Sequence, residues 1–115
     1  MDLENLTAIA QGECRRVVEE LPPELVSVVK EVPIFFELSP DKSDLELGLE
    51  PDTLGLFDPG DLGLTPRIRL WLANIWDFSE EDEEVFREEV RVTLLHEIGH
   101  LVGWDEVEVD ERGLG

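Results

Sequence analysis

The sequence predicts an α+β fold: an N-terminal helix, a small mixed sheet of two to four strands, and a long C-terminal helix packed on that sheet. Three observations lead there. Leu3, Leu6, Ala10, Cys14, Val17 and Leu21 recur at spacings of three and four, the stripe of a helix with one apolar face. Residues 32–38 and 67–73 are short, apolar or alternating runs of strand length. Residues 90–104 read VRVTLLHEIGHLVGW, apolar on nearly every side, as a buried helix would be.

Each element has a local reason. Pro22-Pro23 stops the first helix, and residues 23–29 suit one more short helical turn. Val32-Pro33-Ile34-Phe35-Phe36-Glu37-Leu38 is aromatic-rich and suits a buried strand. Residues 39–52 are polar and acidic, which predicts a surface loop, and Asp58-Pro59-Gly60-Asp61 predicts a turn. In residues 67–73, Arg67, Arg69 and Trp71 share one face and Ile68, Leu70 and Leu72 the other, so the strand is expected to be half-buried. Ser79-Glu80-Glu81-Asp82 is expected to open the last helix, with Ser79 as cap and the acidic first turn complementing the helix dipole. Glu83 and Arg87 then pair four apart, and the helix should run to about Val102 and stop at Gly103. Cys14 lies on the first apolar stripe and reads as a small buried hydrophobe. Trp71 and Trp76 read as core or edge packing in preference to substrate contact. Gly99, costly inside a helix, points to close approach of another backbone, such as the strand at 67–73.

Size and charge exclude several classes. A chain of 115 residues is expected to form one domain, 1–115, and 42% hydrophobic residues suffice for a core. A net charge of −20 argues against nucleic acid and against anionic membrane surfaces. Such a field can attract cations or basic peptides. One cysteine excludes an internal disulfide. The start, MDLENLTAIAQGE, lacks the basic and apolar regions of a signal peptide, and no stretch reaches the ~18 apolar residues of a membrane span. A cytoplasmic protein is expected.

The chemistry concentrates in His96-Glu97-Ile98-Gly99-His100, an HExxH motif that uses both histidines of the chain. Four residues apart on a helix, the imidazoles point the same way and can share one metal ion, typically zinc. Glu97 can then act as general base toward the metal's water. In this composition the motif arises by chance in roughly 0.3% of arrangements, so its context decides. A carboxylate and two imidazoles in a largely apolar helix are costly without partners, and a cation supplies them. The bland alternative is a hydrogen-bonded Glu–His cluster or a solvent-facing stripe.

The string HEIGHLVG, with Gly103 three residues after the second histidine, resembles zincin metallopeptidases. It is most similar to the minimal zincin-like metallopeptidases, small acidic bacterial proteins of one domain. Leu54-Gly55-Leu56-Phe57 resembles that family's Leu-Gly-Leu-Tyr element, and Thr65-Pro66-Arg67-Ile68-Arg69-Leu70-Trp71 its strand before the motif helix. The N-terminal helix ending in Leu21-Pro22 matches as well. The resemblance implies a minimal zincin-like fold with the HExxH segment as active-site helix, one zinc ion per chain, and a peptide or protein substrate bound as an added strand. It implies a third ligand three residues after the glycine, at Glu106, with Asp105 one position earlier as the alternative. With fifteen residues after His100, a glutamate from a further helix is not expected. The methionine turn of metzincins is missing, since Met1 is the sole methionine.

The expected function is therefore zinc-dependent peptide hydrolysis with His96, His100 and Glu106 on the metal and Glu97 as base. The alternative is a catalytically weak or inactive zincin-like protein that binds metal or peptide. A third class, a histidine-cluster endoribonuclease, is opposed by the two histidines and the acidity. A peptidase must also stabilise an oxyanion. The chain has no tyrosine and no third histidine, which leaves zinc itself, Arg67, Arg69 or an indole N–H.

Overall fold

Helix α1 (Leu3–Glu20) begins where the Asp2 side chain accepts a hydrogen bond from the Asn5 amide, and it ends ahead of the two prolines. The structure is a computed structural model and describes residues 2–60 and 65–103. After α1 come α2 (Pro23–Val29), β1 (Ile34–Glu37), α3 (Lys42–Glu46), β2 (Gly55–Asp58), β3 (Arg67–Trp71), α4 (Leu72–Phe78) and α5 (Glu83–Leu101). The three strands form one mixed sheet in the order β1-β3-β2. β1 runs parallel to β3, with Ile34 opposite Ile68, and β2 runs antiparallel, with Phe57 opposite Ile68. This is the α+β class that the periodicities predict. Among the described residues, no helix is long and apolar enough to cross a membrane.

The core lies between one face of the sheet and α1, α4 and α5. Ile68 and Leu70 meet Leu6, Ala10, Ile75, Phe86, Val90, Leu94 and Ile98, all almost fully buried. Each such side chain contributes about 1.5–3 kcal/mol by leaving water. Cys14 sits in the same stripe, and burial, aided by the neighbouring Glu13 charge, pushes its thiol up to about 12. It behaves as the small hydrophobe that its position predicts.

Three expectations are corrected. The loop expected over 39–52 contains α3, because Asp41 accepts from the Asp44 amide while the Asp44 side chain accepts from the Asp41 amide. The strand expected to 73 ends at Trp71 and turns directly into α4. Ser79 does not open the last helix: it closes α4 by donating its hydroxyl to the Ile75 carbonyl. Glu80 and Glu81 take left-handed φ of 55° and 59°, which interrupts the helical path, and Asp82 caps α5 by accepting from Val85. The far end of α5 behaves as its sequence predicts, with Gly103 at φ 87° just past the last turn.

β3 is buried on both faces, not one. Arg69, on the face away from α1 and α5, is 6% exposed. Its guanidinium donates to Glu37 (2.8 and 2.8 Å) and to Asp44 (2.7 and 2.7 Å), and lies 4.9 Å from the Trp71 ring centroid. α3 thus carries a carboxylate over the sheet to close this face above Trp71, which is fully buried. Sequence alternation marks Arg69 as the polar side of a strand, but it cannot show that two carboxylates distant in sequence will cover it.

The Arg69 hydrogen bonds hold the Asp44 carboxyl at about 2, well below its ordinary value. A depressed carboxyl stabilises the fold above its unfolded pKa and loses that contribution as pH falls through the folded one. Arg69→Met should therefore destabilise the protein by about 3 kcal/mol at neutral pH, since it strands two carboxylates. Urea unfolding at pH 7 and again near pH 3 should show the deficit shrinking in acid, as the wild type loses the Asp44 contribution between about pH 4 and pH 2.

Candidate functional site

α5 carries the motif, and α1 sets its rotation. Glu13 on α1 is 2% exposed and accepts hydrogen bonds from Arg87 (3.2 Å) and Arg91 (2.7 Å) of α5. Burial alone would raise its pKa, but Arg91 and Arg87 outweigh burial and hold it below the ordinary value. At about 100° per residue, His96 and His100 then fall about 140° and 180° around the helix from Arg91, away from the clamp.

The two imidazoles converge. Their Nε2 atoms are 3.1 Å apart, and the rings meet edge to face at 81° with centroids 4.7 Å apart. Two nitrogens on a tetrahedral zinc ion stand roughly 3.3 Å apart, given bonds near 2.05 Å. The two nitrogens thus stand at close to the spacing that zinc requires, which is also that of a ring-to-ring hydrogen bond. Among the described residues no third carboxylate, thiol or imidazole joins them. Asp105 and Glu106, the two candidates for the third ligand, lie outside the described residues.

Glu97 is 8% exposed and its Oε1 accepts a hydrogen bond from the Phe57 amide at 2.9 Å. That amide belongs to β2, at the edge of the sheet. The Trp71 amide donates to the Leu54 carbonyl, which fixes the antiparallel register. Leu54, Leu56 and Asp58 therefore turn their main-chain groups toward β3, and Gly55 and Phe57 turn theirs away from it. The Glu97 carboxylate is pinned by an outward amide of the edge strand.

A cleft of 240 Å³ opens beside this contact, lined by Leu54, Gly55, Thr93, His96 and Glu97 among others. Gly55 is what lets β2 lie so close to α5. A Cβ there would sit 2.7 Å from the Thr93 side chain and 3.1 Å from that of Leu70. A close backbone approach is seen at Gly55, between β2 and α5. β3 is the central strand, with β1 and β2 on its two edges, so it has no edge to offer an added strand.

Among the described residues, the groups considered for an oxyanion are engaged elsewhere, and Trp104 lies outside those residues. Arg69 is held by Glu37 and Asp44, and Arg67 lies against Asp58 at 3.3 Å and over the Phe35 ring at 5.8 Å. Trp71 packs beneath Arg69, and Trp76 packs edge to face on Phe86 at 5.6 Å. Both indoles are packing residues. Sequence reasoning missed Phe57 and Glu13. A glycine inside the apolar run at 54–57 was a signal for the first; an acidic residue adjacent to Cys14 on a buried stripe was the signal for the second.

No curated protein matches the sequence. The model of the zincin-like metallopeptidase family matches residues 29–115, well over half of the chain, and its span takes in all three strands and the HExxH helix. On that match the chain belongs to the zincin-like metallopeptidase family.

Proposed function

We propose that the protein is a zinc-dependent metallopeptidase that hydrolyses peptide bonds at the mouth of the β2–α5 cleft. The observation that carries this reading is the HExxH geometry: two Nε2 atoms 3.1 Å apart with a buried carboxylate beside them. His96 and His100 would hold one zinc ion, with Glu106, or else Asp105, as third ligand on the spacing after Gly103. Zinc, when bound, supplies Lewis acidity toward a carbonyl oxygen.

The rest is the work of this chain's own residues. The Phe57 amide fixes the Glu97 carboxylate by its Oε1. We assign proton transfer to Oε2, which takes a proton from the attacking water and returns it to the leaving amine. The outward main-chain groups of Gly55 and the Phe57 carbonyl give an extended peptide a strand edge to pair with, the Phe57 amide being taken by Glu97. The acidic field of the chain favours peptides carrying basic residues.

The alternative, a zincin-like protein that binds metal or peptide without cleaving, draws support from one observation. Arg69, the buried cation nearest in kind to an oxyanion partner, is committed to Glu37 and Asp44. A peptide-library digest with and without chelator separates the two readings.

Elemental analysis of purified protein should find about one zinc per chain, and His100→Ala should abolish stoichiometric binding. Full occupancy in that variant would refute the site. Glu106→Ala and Asp105→Ala, measured separately, should identify the third ligand by lowered zinc affinity.

Glu97→Ala should keep zinc and fold while lowering chelator-sensitive cleavage by about 10²–10⁴-fold. Cleavage that survives both the substitution and the chelator belongs to a contaminant.

Phe57→Pro deletes the amide that holds Glu97 at an edge position facing away from the ladder, where proline is tolerated. It should lower kcat about tenfold, the worth of a hydrogen bond to a charged group, with zinc content unchanged. Phe57→Ala keeps the amide and should keep kcat. Equal kcat in wild type and Phe57→Pro would remove Phe57 from the mechanism.

A further inference from the structure

A second groove lies away from the histidines, along the other edge of the sheet. It measures 590 Å³ and runs between α1 and β1. Cys14 and Val18 of α1 and Ile34 and Phe36 of β1 make an apolar floor, and Arg15, Lys30 and Glu19 stand at its rim.

Two further observations say what would fill it. The first is the strand edge. Among the described residues, β1 pairs with β3 on one side only. The Ile68 amide donates to the Pro33 carbonyl, so in this parallel ladder Pro33, Phe35 and Glu37 turn their main-chain groups to β3. Ile34 and Phe36 turn theirs outward, on the very strand whose half-buried side chains floor the groove. An extended peptide can satisfy those groups, whereas a compact apolar ligand cannot.

The second observation is charge. Among the described residues, Arg16, Arg67, Arg69, Arg87 and Arg91 each lie within salt-bridge distance of a carboxylate. Arg15, Lys30 and Lys42 have no such partner, and two of those three border this one groove. In a chain of net charge −20, two cations outside salt-bridge distance of any described carboxylate, against the single Glu19 at the same rim, favour an anionic occupant.

We infer that the outer edge of β1, unpaired among the described residues, is a second peptide-docking surface, distinct from the β2–α5 cleft, that takes an extended segment bearing apolar side chains and carboxylates. Its charge preference is opposite to that expected at the cleft. The segment adds to β1 as a strand, its apolar side chains pack on Cys14, Val18, Ile34 and Phe36, and its carboxylates meet Arg15 and Lys30.

The test uses a fluorescein-labelled, acetylated and amidated peptide of alternating valine and glutamate, about five residues long and so roughly 17 Å when extended. Its valine–lysine counterpart is the control. Anisotropy titration should show the glutamate peptide binding and the lysine peptide not. Amide shifts in the NMR spectrum should centre on Ile34 and Phe36. Arg15→Glu combined with Lys30→Glu alters two exposed side chains, so folding should persist by circular dichroism, and affinity should drop about tenfold or more. Equal binding of both peptides, unchanged affinity in the double variant, shifts confined to Gly55 and Phe57, or no binding at all would each overturn the proposal. None of these outcomes bears on zinc content, so the metallopeptidase reading stands or falls separately.

Discussion

The geometry of the site depends on one constraint, the rotation of α5 about its own axis. A helix with apolar residues on several sides could settle against a sheet in more than one orientation. Glu13 removes that freedom. A buried carboxylate on α1 must find cations, and it finds Arg87 and Arg91, four residues apart on one stripe of α5. With that stripe tied down, His96 and His100 face away from α1, and Glu97 reaches the edge strand. The Phe57–Glu97 hydrogen bond is the second tie. Together they hold the helix at two points, one near its middle and one at the motif.

Charge is handled locally in this protein despite its excess of acid. Two of the buried carboxylates are matched with arginines, Glu13 with Arg87 and Arg91 and Asp44 with Arg69, while buried Glu97 takes the Phe57 amide. Each match spans elements far apart in sequence, so each also fixes a tertiary contact. Breaking one partner of such a set costs more than making the set gained, because the remaining charge stays buried. The remaining acidic residues are largely exposed, and their repulsion is tolerable in a high-dielectric surround.

Family membership and site geometry make separate contributions. The family match says what kind of protein this is. The geometry adds how this chain arranges its parts: the Glu97 carboxylate held by a main-chain amide, the cleft narrow because residue 55 is a glycine, and the arginines of β3 turned to the opposite side of the sheet from the histidines.

The amphipathic period of α1, the strand character of β1 and β3, and the stop at Gly103 were legible in the sequence because each rests on local periodicity or backbone chemistry. The HExxH pair was legible for the same reason: four residues on a helix place two imidazoles together whatever the fold around them. The helices α3 and α4 were not legible, since five and seven residues carry too little periodic signal and α3 is fixed by Arg69 from another strand. The start of α5 was misplaced by three residues. Ser79 and Asp82 are both good caps, and only the turn at Glu80 and Glu81 chose between them. Nor could sequence reveal that β2, not β3, is the edge beside the motif, because strand order is decided by long-range pairing. The sequence by itself thus determined the chemistry that α5 carries. The tertiary structure alone decided what that chemistry faces, because burial and partner choice are properties of surfaces that come together only on folding.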